Sequence, residues 1–362
     1  MLKLLTNLSA VGAACLLLAG MGASANAAPL HGSHHPVSHK VPNIHDGTAQ
    51  IKAQHQAGHG ASSAPQTQAS SRAFSAAGLQ RWTTTNTDST TGTKYASTYI
   101  GADPALGTTS TINVYLVPLN MDLDNGDGTT TSINATTAVN DAAKSPIFAN
   151  MAQKPSGENT QYIDAYMRAN FNQPAGYHVK LNPVVKPAVT LNVGADQYWD
   201  YGSIIGVQDT LISDQVSQSA AYPSDGIVMY VTPGVFGDDG TGRGFGGYHD
   251  YDGTKALGFS NIQGASNNNL QALSHELSEW AFDPTVNNAT AGNLSTAGYG
   301  CQKILEVGDP VNNQNFTLTD ASAKTWTVED EVFVPWFFHT NPAGTSNGKY
   351  SILGLANYGA SC

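Results

Sequence analysis

Charge is scarce in this chain. Asp, Glu, Lys and Arg together make up 12% of its 362 residues, and the formal net charge is −11. Lys and Arg form no cluster, which excludes the basic face that nucleic-acid binding requires. Polar surface has to come from Thr, Ser, Asn, Gln and Gly. That suits a secreted protein in harsh or acidic media, although such composition bears on solubility rather than fold. Long apolar runs are missing beyond the N-terminus, and with them any expectation of a transmembrane segment there. Cysteine is rarer still, with Cys15, Cys301 and Cys362 the only three.

What is present begins with an export signal. Lys3 supplies one positive charge, residues 11–21 are apolar, and Ala23-Ser24-Ala25-Asn26-Ala27-Ala28 offers small residues for cleavage. This order predicts a signal peptide over 1–27, cut after Ala25 or Ala27, and a mature chain that is secreted, periplasmic or extracellular. Gly12-Ala13-Ala14 before Cys15 lacks the large aliphatic residue of a lipoprotein anchor. Two cysteines then remain. In an oxidising compartment they predict one disulfide, Cys301–Cys362, with two free thiols as the alternative.

Residues 28–78 are rich in Ala, Ser, Gln and Gly and hold seven of the eleven histidines: His31, His34, His35, His39, His45, His55 and His59. So few aliphatic residues cannot bury a core, and a disordered tail is expected. A loose metal-binding tract, a removable pro-segment and a soluble linker all fit it. Residues 79–362 read as one domain, large for a single core.

Within that domain, residues 111–118 (TINVYLVP) and 226–232 (GIVMYVT) have the apolar, β-branched texture of buried strands, the second one central. The acidic run 122–128 between them reads as a hairpin turn. Its spacing partly echoes a calcium loop but lacks the closing Glu. Helices are expected around 138–151 and 161–171, and a strand or hairpin interrupted by prolines over 177–193. A glycine-rich loop is expected over 234–253, an edge strand at 256–262, and strands over 325–338 and 349–355.

The segment that carries chemistry is 268–284 (NNLQALSHELSEWAFDP). Asn residues open it as N-cap candidates and Pro284 closes it. Leu270, Leu273, Leu277 and Ala281 form one helical stripe, with Trp280 at its margin. His275, Glu276, Glu279 and Asp283 fall on the opposite face. His275 and Glu279 stand one turn apart and are positioned to grip one metal ion. Glu276 projects beside them as a general base, in the geometry of the H-E-x-x-H metallopeptidase helix with Glu in place of the second His. A third ligand is expected from Glu306 or Asp309, with His339 a weaker candidate. His249 is assigned to oxyanion stabilisation or substrate orientation. Two blander readings accompany this one: a solvated amphipathic helix, and a structural calcium ion on Glu279, Asp283 and Asp309.

The run His-Glu-Leu-Ser-Glu-Trp-Ala-Phe-Asp-Pro at 275–284, followed by Glu306-Val307-Gly308-Asp309, resembles the secreted EXORDIUM-like (phosphate-induced) proteins and their bacterial and fungal relatives. Gly247-Tyr248-His249 and the stretch containing Val334-Pro335-Trp336 add to the resemblance, which spans about residues 225–340. The family is similar in layout to zincin metallopeptidases. The likeness therefore implies His275 and Glu279 as ligands, Glu276 as base, and Glu306 or Asp309 completing the shell. Pro310 stands where relatives often carry a Cys directly after Gly-Asp. The expectation is thus a zincin-like α+β domain with a mixed twisted sheet and an active-site helix. It would bind zinc, with calcium a possible structural ion, and hydrolyse an extended peptide or protein substrate paired with strand 256–262. The alternative is a non-catalytic extracellular protein that keeps the fold and binds cell-wall or matrix material.

Overall fold

In the computed structural model the chain is a mixed α+β protein with one main domain, built mostly of strands around a curled sheet. The structure describes residues 43–46, 78–240, 243–294, 300–356 and 362. The signal peptide, Cys15 and all of the His-rich tract except its strand at 43–46 lie outside the described residues.

The first elements are β1 (Asn43–Asp46), the hairpin β2 (Arg81–Thr87) and β3 (Lys94–Ile100), and the long strand β4 (Thr109–Asp124) with its antiparallel partner β5 (Thr130–Ile133). The β4–β5 connection is residues 125–129, so the turn chemistry of the acidic run 122–128 acts in its second part, while residues 122–124 are still paired strand. Next come α1 (Thr136–Ala142), the short pair β6 (Met151–Ala152) and β7 (Asn159–Thr160), and α2 (Tyr162–Asn170). The helix expected over 138–151 is thus half as long as predicted. α2 falls where expected.

β8 (His178–Val185) and β9 (Val189–Val193) do not form a hairpin. Both run parallel to β4, one after the other along the same strand. Pro187 marks the break between them, as its missing N–H would interrupt a continuous ladder. β10 (Tyr198–Asp200), β11 (Ile205–Gln208) and α3 (Asp209–Ser217) lead to β12 (Gly226–Pro233).

β12 is the central strand the sequence predicts, lying between β4 and the later strand β15 (Ala256–Ile262) and parallel to both. Its residues alternate between two cores: Ile227, Met229 and Val231 face one, Val228 and Tyr230 the other. A strand covered on both faces reads as a continuous apolar run, which is what 226–232 shows.

Two expectations are corrected here. The glycine-rich stretch 234–253 is a strand pair, β13 (Val235–Asp238) and β14 (Arg243–Tyr251), and not a loop. Phe245 lies over Gly237 and Phe236 over Gly244, and a Cβ on either glycine would sit within 2.4 Å of the opposing ring. The glycines make room for aromatic packing, and composition alone mistakes them for loop residues. Second, β15 is not an edge strand. It is buried throughout, between β12 and β14.

The helix that carries His275, Glu276 and Glu279 is α4 (Gln271–Phe282), which packs on β14, β15 and the C-terminal strand β19 (Thr325–Glu329). It holds no Gly, Pro or β-branched residue, and Pro284 ends it. Its N-cap is Leu270 and not an Asn, although Asn269 Oδ1, one position earlier, accepts the Gln271 N–H at 3.1 Å. The remaining pieces are β16 (Ala289–Leu294) with β17 (Cys301–Ile304), β18 (Asn315–Thr319) paired with β19, and the short α5 (Val334–Phe337). Only the first part of 325–338 is therefore a strand. In 349–355 a single bridge, Val332 to Ser351, replaces the expected strand. Cys301 and Cys362 form the disulfide. No helix among the described residues is long and apolar enough to cross a membrane.

Candidate metal centre

Three elements bring the site together. β14 supplies His249, α4 supplies His275, Glu276 and Glu279, and the segment after β17 supplies Glu306 and Asp309. All six residues are buried, none more than 7% exposed. Because residues 273–282 of α4 are buried on every side, the solvated amphipathic helix does not describe this segment.

His275 Nε2 lies 3.2 Å from Glu279 Oε1, as expected of residues one turn apart. His249 points both ring nitrogens at carboxylates. Its Nδ1 is 3.4 Å from Glu276 Oε2 and 3.6 Å from Glu279 Oε2, and its Nε2 is 3.7 Å from Glu306 Oε2. Glu279 Oε1 also accepts the backbone N–H groups of Gly308 (3.1 Å) and Asp309 (3.3 Å), which ties the 306–311 segment to the helix. Two groups able to hold a cation result: His275, Glu279 and Asp309, and His249, Glu276 and Glu279. Within each group the ligand atoms all lie within 4.8 Å of one another, and Glu279 belongs to both.

Two glycines let the elements approach this closely. A Cβ on Gly247 would meet Glu276 Oε1 at 2.6 Å, and one on Gly308 would meet His275 Nδ1 at 2.3 Å. The Gly-Tyr-His and Val-Gly-Asp runs thus place their glycines against the general-base candidate and the ligand candidate.

Two carboxylates escaped the sequence reading. Glu329, at the end of β19, holds His275 Nδ1 at 2.6 Å and is fully buried. It is fixed in turn by the Asn313 N–H and by Gln271 Nε2 at 3.1 Å. Glu331 takes a hydrogen bond from the Tyr162 hydroxyl at 3.1 Å. The available signal was Glu329-Asp330-Glu331, three acids in a row between apolar Val328 and Val332.

These charges act on one another. Burial opposes a proton on His275, but the carboxylates of Glu279 and Glu329 outweigh it and hold the imidazole pKa well above its ordinary value. Burial pushes the Glu331 carboxyl well above the usual carboxylate range, and the charge of Glu329 pushes it further.

Two candidates fall away from the cluster. Asp283 accepts the N–H groups of Asn287 and Asn288, both at 2.9 Å, and so shapes the turn after α4. The calcium set that needs Asp283 is not among the groups the fold assembles. His339 pairs through Nδ1 with Asp88 Oδ1 at 2.7 Å, joining the C-terminal region to the turn after β2. Comparison with protein-family models, with curated proteins and with solved structures returns no match.

Proposed function

We propose that this chain is an exported zinc-dependent peptidase with a zincin-like layout. The observation that carries the reading is the buried triad of His275, Glu279 and Asp309 with Glu276 beside it. One imidazole and two carboxylates are a donor set that a divalent cation of the zinc type accepts. Buried ionised groups are otherwise costly unless paired or ligating. Asp309 is preferred to Glu306 as third ligand because it groups with His275 and Glu279, whereas Glu306 faces His249.

When bound, such an ion lowers the pKa of water and polarises a carbonyl. The chain's own residues do the rest. Glu276 takes a proton from the attacking water and returns it to the amine nitrogen as the C–N bond breaks, leaving a carboxylate and an amine. His249, 3.4 Å from Glu276, orients that carboxylate. Glu329 fixes the His275 ring through Nδ1 and leaves Nε2, beside Glu279, as the atom that would bind a cation, an arrangement typical of ligating histidines. The peptide lies extended along β14. Strand 256–262 is interior and cannot receive it.

The test is metal analysis of the whole secreted chain beside its His275→Ala variant. The His-rich tract is common to both, so its metal cancels in the difference. One zinc per chain lost with His275, together with hydrolysis lowered about 10²- to 10⁴-fold by Glu276→Gln at unchanged zinc, is the expected outcome. Equal metal in both proteins ends the reading. A second reading draws on the burial of the whole cluster: a structural metal centre inside a wall- or matrix-binding protein. Zinc loss in His275→Ala with no Glu276-dependent hydrolysis on any protein substrate selects it.

A further inference from the structure

The segment that composition assigns to a disordered tail contains one strand, and that strand lies beside the site. β1 runs parallel to β14, with Asn43 opposite Arg243, Ile44 opposite Gly244, His45 opposite Phe245 and Asp46 opposite Gly247. Gly247 also pairs with Ser260 of β15, and Gly244 and Phe245 also pair with β13. A strand has two hydrogen-bonding sides. β13 and β15 therefore share one side of β14, and β1 takes the other.

The side taken by β1 is the one that an added strand needs. β15 is closed off between β12 and β14, so beside α4 the outer side of β14 is where an extended backbone can join the sheet. The pairing ends at Gly247, whose backbone lies against the Glu276 carboxylate. β1 thus occupies the edge up to the residue that touches the proposed base.

We infer that the outer side of β14 is a docking edge for extended peptides, and that the chain's own Asn43–Asp46 occupies it and excludes substrate until displaced or removed. The inference rests on the peptidase reading for what is excluded, but the docking stands on the strand pairing alone. Among the three sources of a His-rich tract weighed from composition, it selects the pro-segment. Main-chain bonds supply the affinity in this mode, so the occupant needs an extended backbone more than particular side chains.

The experiment uses the full secreted, zinc-loaded chain carrying Glu276→Gln, so that no probe is consumed. Ile44→Pro and His45→Pro are made separately. Successive N–H groups of a strand point to opposite sides, so one proline removes a bond to β14 and the other removes an outward N–H and serves as its control. Two readouts are taken: amide exchange of residues 243–247, and binding of a labelled peptide copying residues 41–48.

One of the two variants is expected to show at least tenfold faster exchange at that edge and at least tenfold tighter probe binding than the parent, while its partner matches the parent. Exchange unchanged in both variants overturns the inference, as does faster exchange without tighter probe binding. In the Glu276 background, the edge-opening proline is also expected to raise hydrolysis. Absence of hydrolysis in every chain defeats the peptidase reading and leaves the two docking readouts to decide the edge.

Discussion

His275 Nδ1 stands 2.6 Å from Glu329 Oε2, a contact between a helix and a strand that lie 54 residues apart in sequence. It leaves Nε2 facing Glu279 and locks the ring against rotation. A ligand fixed in this way loses little freedom when a cation binds, and its orientation becomes a property of β19 as much as of α4.

Glu329→Gln should therefore weaken zinc binding about 10- to 100-fold while the chain stays folded. Competition with a chromophoric chelator measures it, with far-ultraviolet circular dichroism as the control for folding. An unchanged zinc affinity removes Glu329 from the site.

Gly308→Ala and Gly247→Ala should fail in different ways. The first drives a methyl group to 2.3 Å from His275 Nδ1, and that ring cannot retreat because Glu329 holds the same nitrogen. Loss of the zinc difference is expected, with a destabilisation of about 1–3 kcal/mol from overpacking. The second places its methyl 2.6 Å from Glu276 Oε1, so hydrolysis should fall while zinc is retained. Metal content and peptide turnover measured on both variants separate the two outcomes. The same loss from both would place the glycines in the scaffold alone.

Asp330 gives a pH signature that does not involve the metal. Burial raises its carboxyl to about 6, although the Leu353 N–H, the Ser351 hydroxyl and the Glu331 N–H all donate to it. A raised carboxyl contributes stability while it is protonated, below its unfolded value near 4, and that contribution is lost as the pH rises through about 6. Asp330→Asn should accordingly remove about 2–3 kcal/mol of the stability lost between pH 4 and pH 7. Urea midpoints of both proteins at the two pH values check this, and parallel pH profiles would contradict it.

The disulfide joins residues 61 positions apart, and Cys362 is the last residue of the chain. Replacing both cysteines by Ser should cost about 4 kcal/mol on the chain-entropy account. Denaturation of oxidised wild type and of the double variant at equal pH measures the difference. A cost under about 1 kcal/mol would mean that the unfolded chain is little constrained by this link.

Local patterns carried much of the fold. Residues 226–232 read as a central strand because a strand covered on both faces needs apolar side chains at every position. Residues 161–171 read as a helix, and 122–128 as a turn, through chemistry confined to a few neighbours. Two expectations differ from the structure because they depend on a distant partner. Gly237 and Gly244 have the composition of a loop, and only the rings of Phe245 and Phe236 lying over them make that stretch a strand pair. Nothing within residues 256–262 says which sides of the strand are covered, so local pattern does not distinguish this interior strand from an edge.

The sequence by itself determined the spacing of His275, Glu276 and Glu279, because helical geometry follows from local bonds. It also named His249, Glu306 and Asp309 as candidates by residue type. Only the tertiary structure decided that all six are buried together, that Asp309 faces His275 while Glu306 faces His249, and that Glu329 holds the His275 ring. Those are contacts between elements dozens of residues apart, set by how β14, β19 and the 306–311 segment pack around α4. No local periodicity encodes them.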